Sequence, residues 1–338
     1  MKFPPLKPWM TKSLLAAGCL VIGGGIGYFL PHPPASSVLA VTRIGGYSFI
    51  NPLLNCHIEG GTPAPEFNHL QGSLNAAIDA AKSHGDVTRA AVYFRSMDSG
   101  DWTGVDQSDT YVPASLLKVP VLIAYLRESE DEPGILDRMY ALPAAPDENA
   151  NEYFKPPEPL ALGRSYSVDT LLRAMAVESD NNAEFALTAH VATSSLENVY
   201  NDFNLPMAAD SASDAMSPAA YMRVFRILYN ATYLTRADSQ EVLATLAQST
   251  FADGAAAGLP AGTPFSHKFG ERDVTTENAS GAVTGEVKDL SDCGIVYYPQ
   301  HPYGICVMTE GTDYAKQASV IADLSRIAYQ AVDGGILK

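Results

Sequence analysis

Tyr111-Val112-Pro113-Ala114-Ser115-Leu116-Leu117-Lys118-Val119-Pro120-Val121-Leu122-Ile123-Ala124-Tyr125-Leu126 is a largely apolar run interrupted by one serine and one lysine. Pro113 does not fit deep inside a helix, so the pattern predicts a buried helix that begins at about Ser115. Residues three apart on a helix share a face, which points Ser115 and Lys118 the same way. A serine hydroxyl attacks only when a base takes its proton. A lysine serves as that base when burial lowers its pKa. The helix N-terminus adds unpaired N–H groups for a developing oxyanion. Nucleophile, base and oxyanion donor thus fit within one turn. An N-cap serine followed by a surface lysine would spell the same letters, and Ser-x-x-Lys arises by chance about once in a chain of this length.

The chain has 338 residues, 46% hydrophobic and 18% charged, enough for one large domain or two modest ones with a real core. Its net charge is −16, and the first forty residues hold Lys2, Lys7 and Lys12 but no acid, so the remainder is more acidic still. Such a body repels nucleic acid, and no basic patch argues otherwise.

Ser13 to Leu30 is an uncharged, mostly apolar stretch at the short end for a membrane span. Three lysines precede it and no Lys or Arg follows until Arg43, which predicts a cytoplasmic tail (1–12), an anchor (13–30) and a body outside the cell membrane. A cleaved signal peptide is the alternative, but no clear Ala-x-Ala site follows the run. Of the cysteines Cys19, Cys56, Cys293 and Cys306, three lie in the external part. At most one disulfide forms among these three, and the sequence does not choose it. No cysteine pair has metal-site spacing and the histidines do not cluster, so neither a metal nor another cofactor is expected.

A linker is expected over 31–65, with an apolar patch from Tyr47 to Leu54, and the main domain over 66–338. Phe67, Leu70, Leu74, Ala77, Ile78 and Ala81 predict an amphipathic helix that Gly85 stops. Ala90 to Phe94 and the region of Trp102 predict a hairpin. Residues 129–165 read mainly as loop. Helical patterns cover Val168 to Val177, Asn182 to His190, Pro218 to Tyr229 and Arg236 to Gln248. Strand signals return at Phe265–Phe269, Cys293–Tyr298 and Gly304–Thr309, and a helix through Val320, Leu324, Ile327 and Ala331 closes the chain. Strands therefore flank a helical middle. The expected fold is α+β: one antiparallel sheet built from both ends of the chain, flanking helices, and a second helical lobe, with Ser115 at the junction.

Two further motifs carry chemistry. Glu178-Ser179-Asp180-Asn181-Asn182 lies between two predicted helices. A serine there can pass a proton and an asparagine can hold an amide, although Ser, Asp and Asn also serve as helix caps. His267-Lys268-Phe269-Gly270-Glu271 lies on a predicted strand, where a lysine beside a glycine lets a substrate backbone approach; an edge strand with a guarding lysine reads the same.

Ser-x-x-Lys, Ser-Asp-Asn and Lys-x-Gly in this order resemble the signature of class A β-lactamases and penicillin-binding proteins, from about Phe67 to the C-terminus. The resemblance implies an acylated nucleophile at Ser115, activation by Lys118, proton transfer by Ser179 and amide binding by Asn181. It implies that Lys268 supports Ser179 and attracts a substrate carboxylate, and that the N–H groups of Ser115 and Glu271 form an oxyanion hole. Phe269, Gly270 and Glu271 would line the substrate side. Two departures stand out. Phe269 replaces the family's usual Thr or Ser hydroxyl, which puts binding of carboxylate-bearing penicillins in question. The Glu-x-x-Leu-Asn loop that supplies the base for deacylation has no match between Asn181 and Pro218, where the carboxylates are Glu184, Glu197, Asp202, Asp210 and Asp214. The implied function is a membrane-anchored extracytoplasmic serine hydrolase acting on β-lactams or D-Ala-D-Ala cell-wall peptides, with slow deacylation. A carboxypeptidase or a non-catalytic wall-binding module is the alternative.

Overall fold

A computed structural model of the chain describes residues 43–53, 65–206, 215–277 and 283–337. The expected span over 13–30, Cys19, Cys56, Asp210 and Asp214 lie outside these residues. Among the described residues no helix is long and apolar enough to cross a membrane.

Helix α1 (Asn68–His84) buries Leu70, Leu74, Ile78 and Ala81, the stripe expected from its spacing. Gly85 ends it at φ 71°, a left-handed position that glycine takes without strain, and its N–H caps the Ala81 and Lys82 carbonyls. Strands β1 (Arg89–Ser96) and β2 (Trp102–Val105) follow as an antiparallel pair. The sheet is completed from the other end of the chain by β5 (Phe265–Glu277), β6 (Val283–Val296) and β7 (Tyr303–Gly311), in the order β2-β1-β7-β6-β5. Every pairing is antiparallel, so the expected architecture holds.

The alternation along β1 divides the core. Ala90, Val92 and Phe94 face one cluster with α1 and the C-terminal helix α8 (Tyr314–Asp333). Ala91 and Tyr93 face a second cluster with the helical lobe. Cys293 and Cys306, paired across β6 and β7, are joined as a disulfide inside this second cluster.

The lobe comprises α2 (Lys118–Asp131), α3 (Val168–Val177), α4 (Asn181–Thr188), α5 (Thr193–Asp202), α6 (Pro218–Asn230) and α7 (Arg236–Leu246). The stretch 129–165, expected as loop, also contains β3 (Met139–Ala141), which pairs with β4 (Ser165–Ser167). Strand β5 continues eight residues beyond the expected Phe269 because its polar second half still pairs with β6, Arg272 opposite Asp289 and Asp273 opposite Lys288. Residues 43–53, within the expected linker, pack on the body. Asn51 N–H donates to the Tyr229 carbonyl, Ile50 is buried, and Arg43 bonds the Asn230 side chain.

Candidate active site

The helix expected from Ser115 is a tighter 3₁₀ turn over Ala114–Leu117, with regular α-helix beginning only at Lys118. A 3₁₀ turn aligns residues three apart, so the shared face of Ser115 and Lys118 survives the change. Three contacts fix this turn. Tyr111 and Met216 exchange backbone hydrogen bonds. Asp289 accepts the Val112 N–H at 2.9 Å. Gly270 lies against it so closely that a Cβ there would stand 2.4 Å from the Pro113 carbonyl and 3.1 Å from the Ser115 nitrogen.

Lys118 is fully buried and its ammonium is turned toward the Ser-Asp-Asn loop. Nζ donates to the Ser179 carbonyl at 2.6 Å, to Ser179 Oγ at 3.2 Å and to Asn181 Oδ1 at 2.5 Å. Lys268 reaches the same hydroxyl from β5, 2.8 Å from Ser179 Oγ, and also donates to the Phe269 carbonyl. Burial lowers the pKa of Lys118, opposed by the charge of Glu184. Lys268 is held well below the usual lysine range by burial and then by the neighbouring Lys118 charge. Two ammonium groups on one buried hydroxyl repel, so this geometry favours a free amine on one of them.

Ser179 itself sits at φ 58°, a left-handed conformation that costs a non-glycine residue about 1–2 kcal/mol. The surrounding bonds hold it there. Asp180 caps α4 through the Asn182 and Ala183 N–H groups, and its carboxylate also accepts from Asn149 Nδ2 and Leu160 N–H. One aspartate thus ties the Ser-Asp-Asn loop to the stretch between β3 and β4.

Ser115 lines an open cleft of about 830 Å³ with Glu152, Tyr153, Glu184, Glu271 and Tyr314. The motif spacings had pointed to neither Glu152 nor Tyr153, because they come from the Pro- and acid-rich stretch that carries no periodic signal. Glu152 Oε1 accepts from Asn181 Nδ2 at 2.6 Å, so the amide expected to hold substrate is engaged by a carboxylate here. Burial, then the hydrogen bond and charge of Glu152, push the Glu271 carboxyl up to about 8; the Phe154 N–H donates to it at 3.0 Å. Glu271 therefore keeps its proton at neutral pH.

Ser115, Lys118, Ser179, Asn181, Lys268, Gly270 and Glu271 are brought together. Phe269 is placed differently. Its ring lies away from the cleft lining, stacked 3.9 Å from the Phe251 ring with Phe154 edge-on at 6.0 Å. It belongs to the terminal-helix side of the core, with Lys268 Nζ 4.3 Å above its face. Glu184, on the first turn of α4, stands 3.4 Å from Lys118 Nζ. Among the described residues no cluster of His, Cys, Asp and Glu has the arrangement of a metal site.

Residues 70–332 match the profile of a beta-lactamase enzyme family. Among solved structures, a mutant of PBP-A in an acyl-enzyme complex with penicillin G is 18% identical with a TM-score of 0.65, covering 82% of this chain and 100% of that one. A beta-lactamase from Chitinophaga pinensis is 22% identical with a TM-score of 0.63, over 78% of this chain and 100% of the other. A class A beta-lactamase representative from Bacteroides cellulosilyticus is 19% identical, also at 0.63, over 78% and 99%. At these identities the likeness is one of fold. No curated protein matches the chain in sequence.

Proposed function

The chain belongs to the beta-lactamase enzyme family, and from that premise we propose that it is a serine hydrolase whose Ser115 is acylated by amides of the β-lactam or D-Ala-D-Ala type. The observation that carries this reading is the convergence of two buried lysines, Lys118 and Lys268, on Ser179 Oγ, with Lys118 one turn from Ser115, which lines an open cleft. Lys118, one turn from Ser115 and poised by burial to give up its proton, takes the serine proton as Oγ attacks the carbonyl carbon. The N–H groups of Ser115 and Glu271 receive the oxyanion. Ser179 then hands a proton to the leaving nitrogen and is resupplied by the lysine pair. A non-catalytic wall-binding module would have no need of a left-handed Ser179 held by two buried lysines.

In this reading the domain over 66–338 works outside the cell membrane, held by a single pass over 13–30. The Lys2, Lys7 and Lys12 asymmetry supports that topology.

Covalent labelling tests the assignment. The parent protein should be labelled by a fluorescent penicillin or a fluorophosphonate probe. Ser115→Ala should abolish the label, and Ser83→Ala, on the exposed face of α1 with its hydroxyl on the Asp79 carbonyl, should not. Equal labelling of the Ser115 variant would remove the nucleophile assignment.

A further inference from the structure

We infer that Glu184 is the general base that clears the acyl group from Ser115. The inference rests on the acyl-enzyme reading above and adds a residue to it. The sequence offers no loop glutamate between Asn181 and Pro218 in the family's pattern, which implied an ester that persists. The folded chain instead brings a carboxylate into the cleft from the first turn of α4. Its Oε2 lies 3.4 Å from Lys118 Nζ, and Glu184 lines the same cleft as Ser115.

Access separates Glu184 from Lys118. The Lys118 side chain is completely inaccessible, whereas that of Glu184 is 30% exposed and open to water. The other cleft carboxylates are occupied: Asp273 accepts from Lys288 Nζ and the Tyr314 hydroxyl, and Asp313 accepts the Ala315 and Lys316 N–H groups at the start of α8. Glu152 accepts from Asn181 Nδ2 at 2.6 Å, while Glu271 holds its proton at neutral pH and receives the Phe154 N–H. Of the remaining described carboxylates in the Asn181–Pro218 segment, Glu197 and Asp202 lie on α5 and do not line this cleft.

The step balances without an added reactant. The Glu184 carboxylate takes a proton from a water molecule, and the water oxygen bonds to the acyl carbon. When the tetrahedral intermediate collapses, the acyl C–O bond to Ser115 breaks. Ser115 Oγ leaves with the proton that Glu184 took from water, relayed through the free amine of Lys118 across the 3.4 Å contact between them. A carboxylic acid departs, and the serine, lysine and glutamate return to their starting states.

The test separates acylation from deacylation. The full-length protein and its Glu184→Gln and Glu184→Asp variants, matched for thermal midpoint, are mixed with excess of a β-lactam that labels the parent. Intact mass and hydrolysed product are followed together. The expected result is steady turnover by the parent. Glu184→Gln should still acquire the adduct but release it about 10²–10⁴-fold more slowly, and Glu184→Asp should fall between them. Three outcomes overturn the inference while leaving acylation of Ser115 standing: Glu184→Gln turns over at the parent's rate, Glu184→Gln folds but is never acylated, or the parent's own adduct never clears. A parent that is not labelled at Ser115 overturns the acyl-enzyme reading and this inference with it.

Discussion

Phe269 and Glu271 stand two positions apart on β5 and serve different ends. Phe269 lies in an aromatic cluster with Phe251 and Phe154, and its ring covers the Lys268 ammonium. Threonine there would restore the hydroxyl common in the family but leave a gap in the core. Losses of a buried Phe ring cost about 3–5 kcal/mol, so Phe269→Thr should lower the denaturant midpoint sharply and slow acylation. An unchanged midpoint with faster acylation would show that a hydroxyl at this position outweighs the packing. Glu271 predicts a pH dependence. The unfolded chain releases its proton near the ordinary value of 4.5, whereas the folded protein holds it to about 8. Between these limits the folded state binds more protons, so the contribution is complete at low pH and stability falls as pH rises from about 4.5 to about 8. Glu271→Gln should flatten that slope in thermal midpoints measured across the window. A slope that the variant leaves untouched would place its source elsewhere.

The elements that position the site meet at one close contact, where Gly270 on the edge strand β5 lies against the turn of Ser115. The nearest neighbour of an added Cβ is backbone, not a side chain that can swing aside. Gly270→Ala must therefore move either the strand or the nucleophile. Overpacking of this kind costs about 1–3 kcal/mol, while misplacing a nucleophile by about 1 Å costs about 10²-fold in rate. The labelling rate should fall far more than the stability does. A variant labelled at the parent's rate would mean that the turn tolerates displacement. Much of this arrangement was legible in the residues. Ser115 with Lys118 and the strip Leu70, Leu74 and Ile78 each carry a helical period, and the strands at both ends of the chain carry runs of Val, Ile and Phe. The second half of β5 was not legible, because past Gly270 its charged residues show no apolar face and only pairing with β6 makes them strand. Helix α5 hid for a similar reason, burying little beyond Val199 and Tyr200. The parts of the site that escaped notice are long-range. Nothing in the sequence relates Glu184 to Lys118 until α4 packs beside α2, or Glu152 to Asn181 until the loop between β3 and β4 folds onto α4.

At the scale of the whole molecule, the net charge of −16 and the carboxylates of the cleft act on any substrate that approaches. A β-lactam with two carboxylates meets repulsion that salt screens within about 10 Å at 0.1 M. Its acylation rate should rise with ionic strength, whereas that of a zwitterionic β-lactam should change little. A fall for the doubly charged compound would indicate that the cations lining the cleft, Arg272 and Lys288, dominate its field. The lysine asymmetry before residues 13–30 makes the proposed topology testable: a reporter fused after Gly60 should read as external, and a cytoplasmic signal would contradict the proposed localisation and substrate class together. The most direct measurement is a time course of intact mass after adding a reactive β-lactam, followed by peptide mapping of the protein quenched at the earliest point. The account predicts a mass increase of one β-lactam per chain, located on the peptide that contains Ser115 and absent from Ser115→Ala. An adduct on another residue, or hydrolysis with no adduct at Ser115 even in Glu184→Gln, would contradict it.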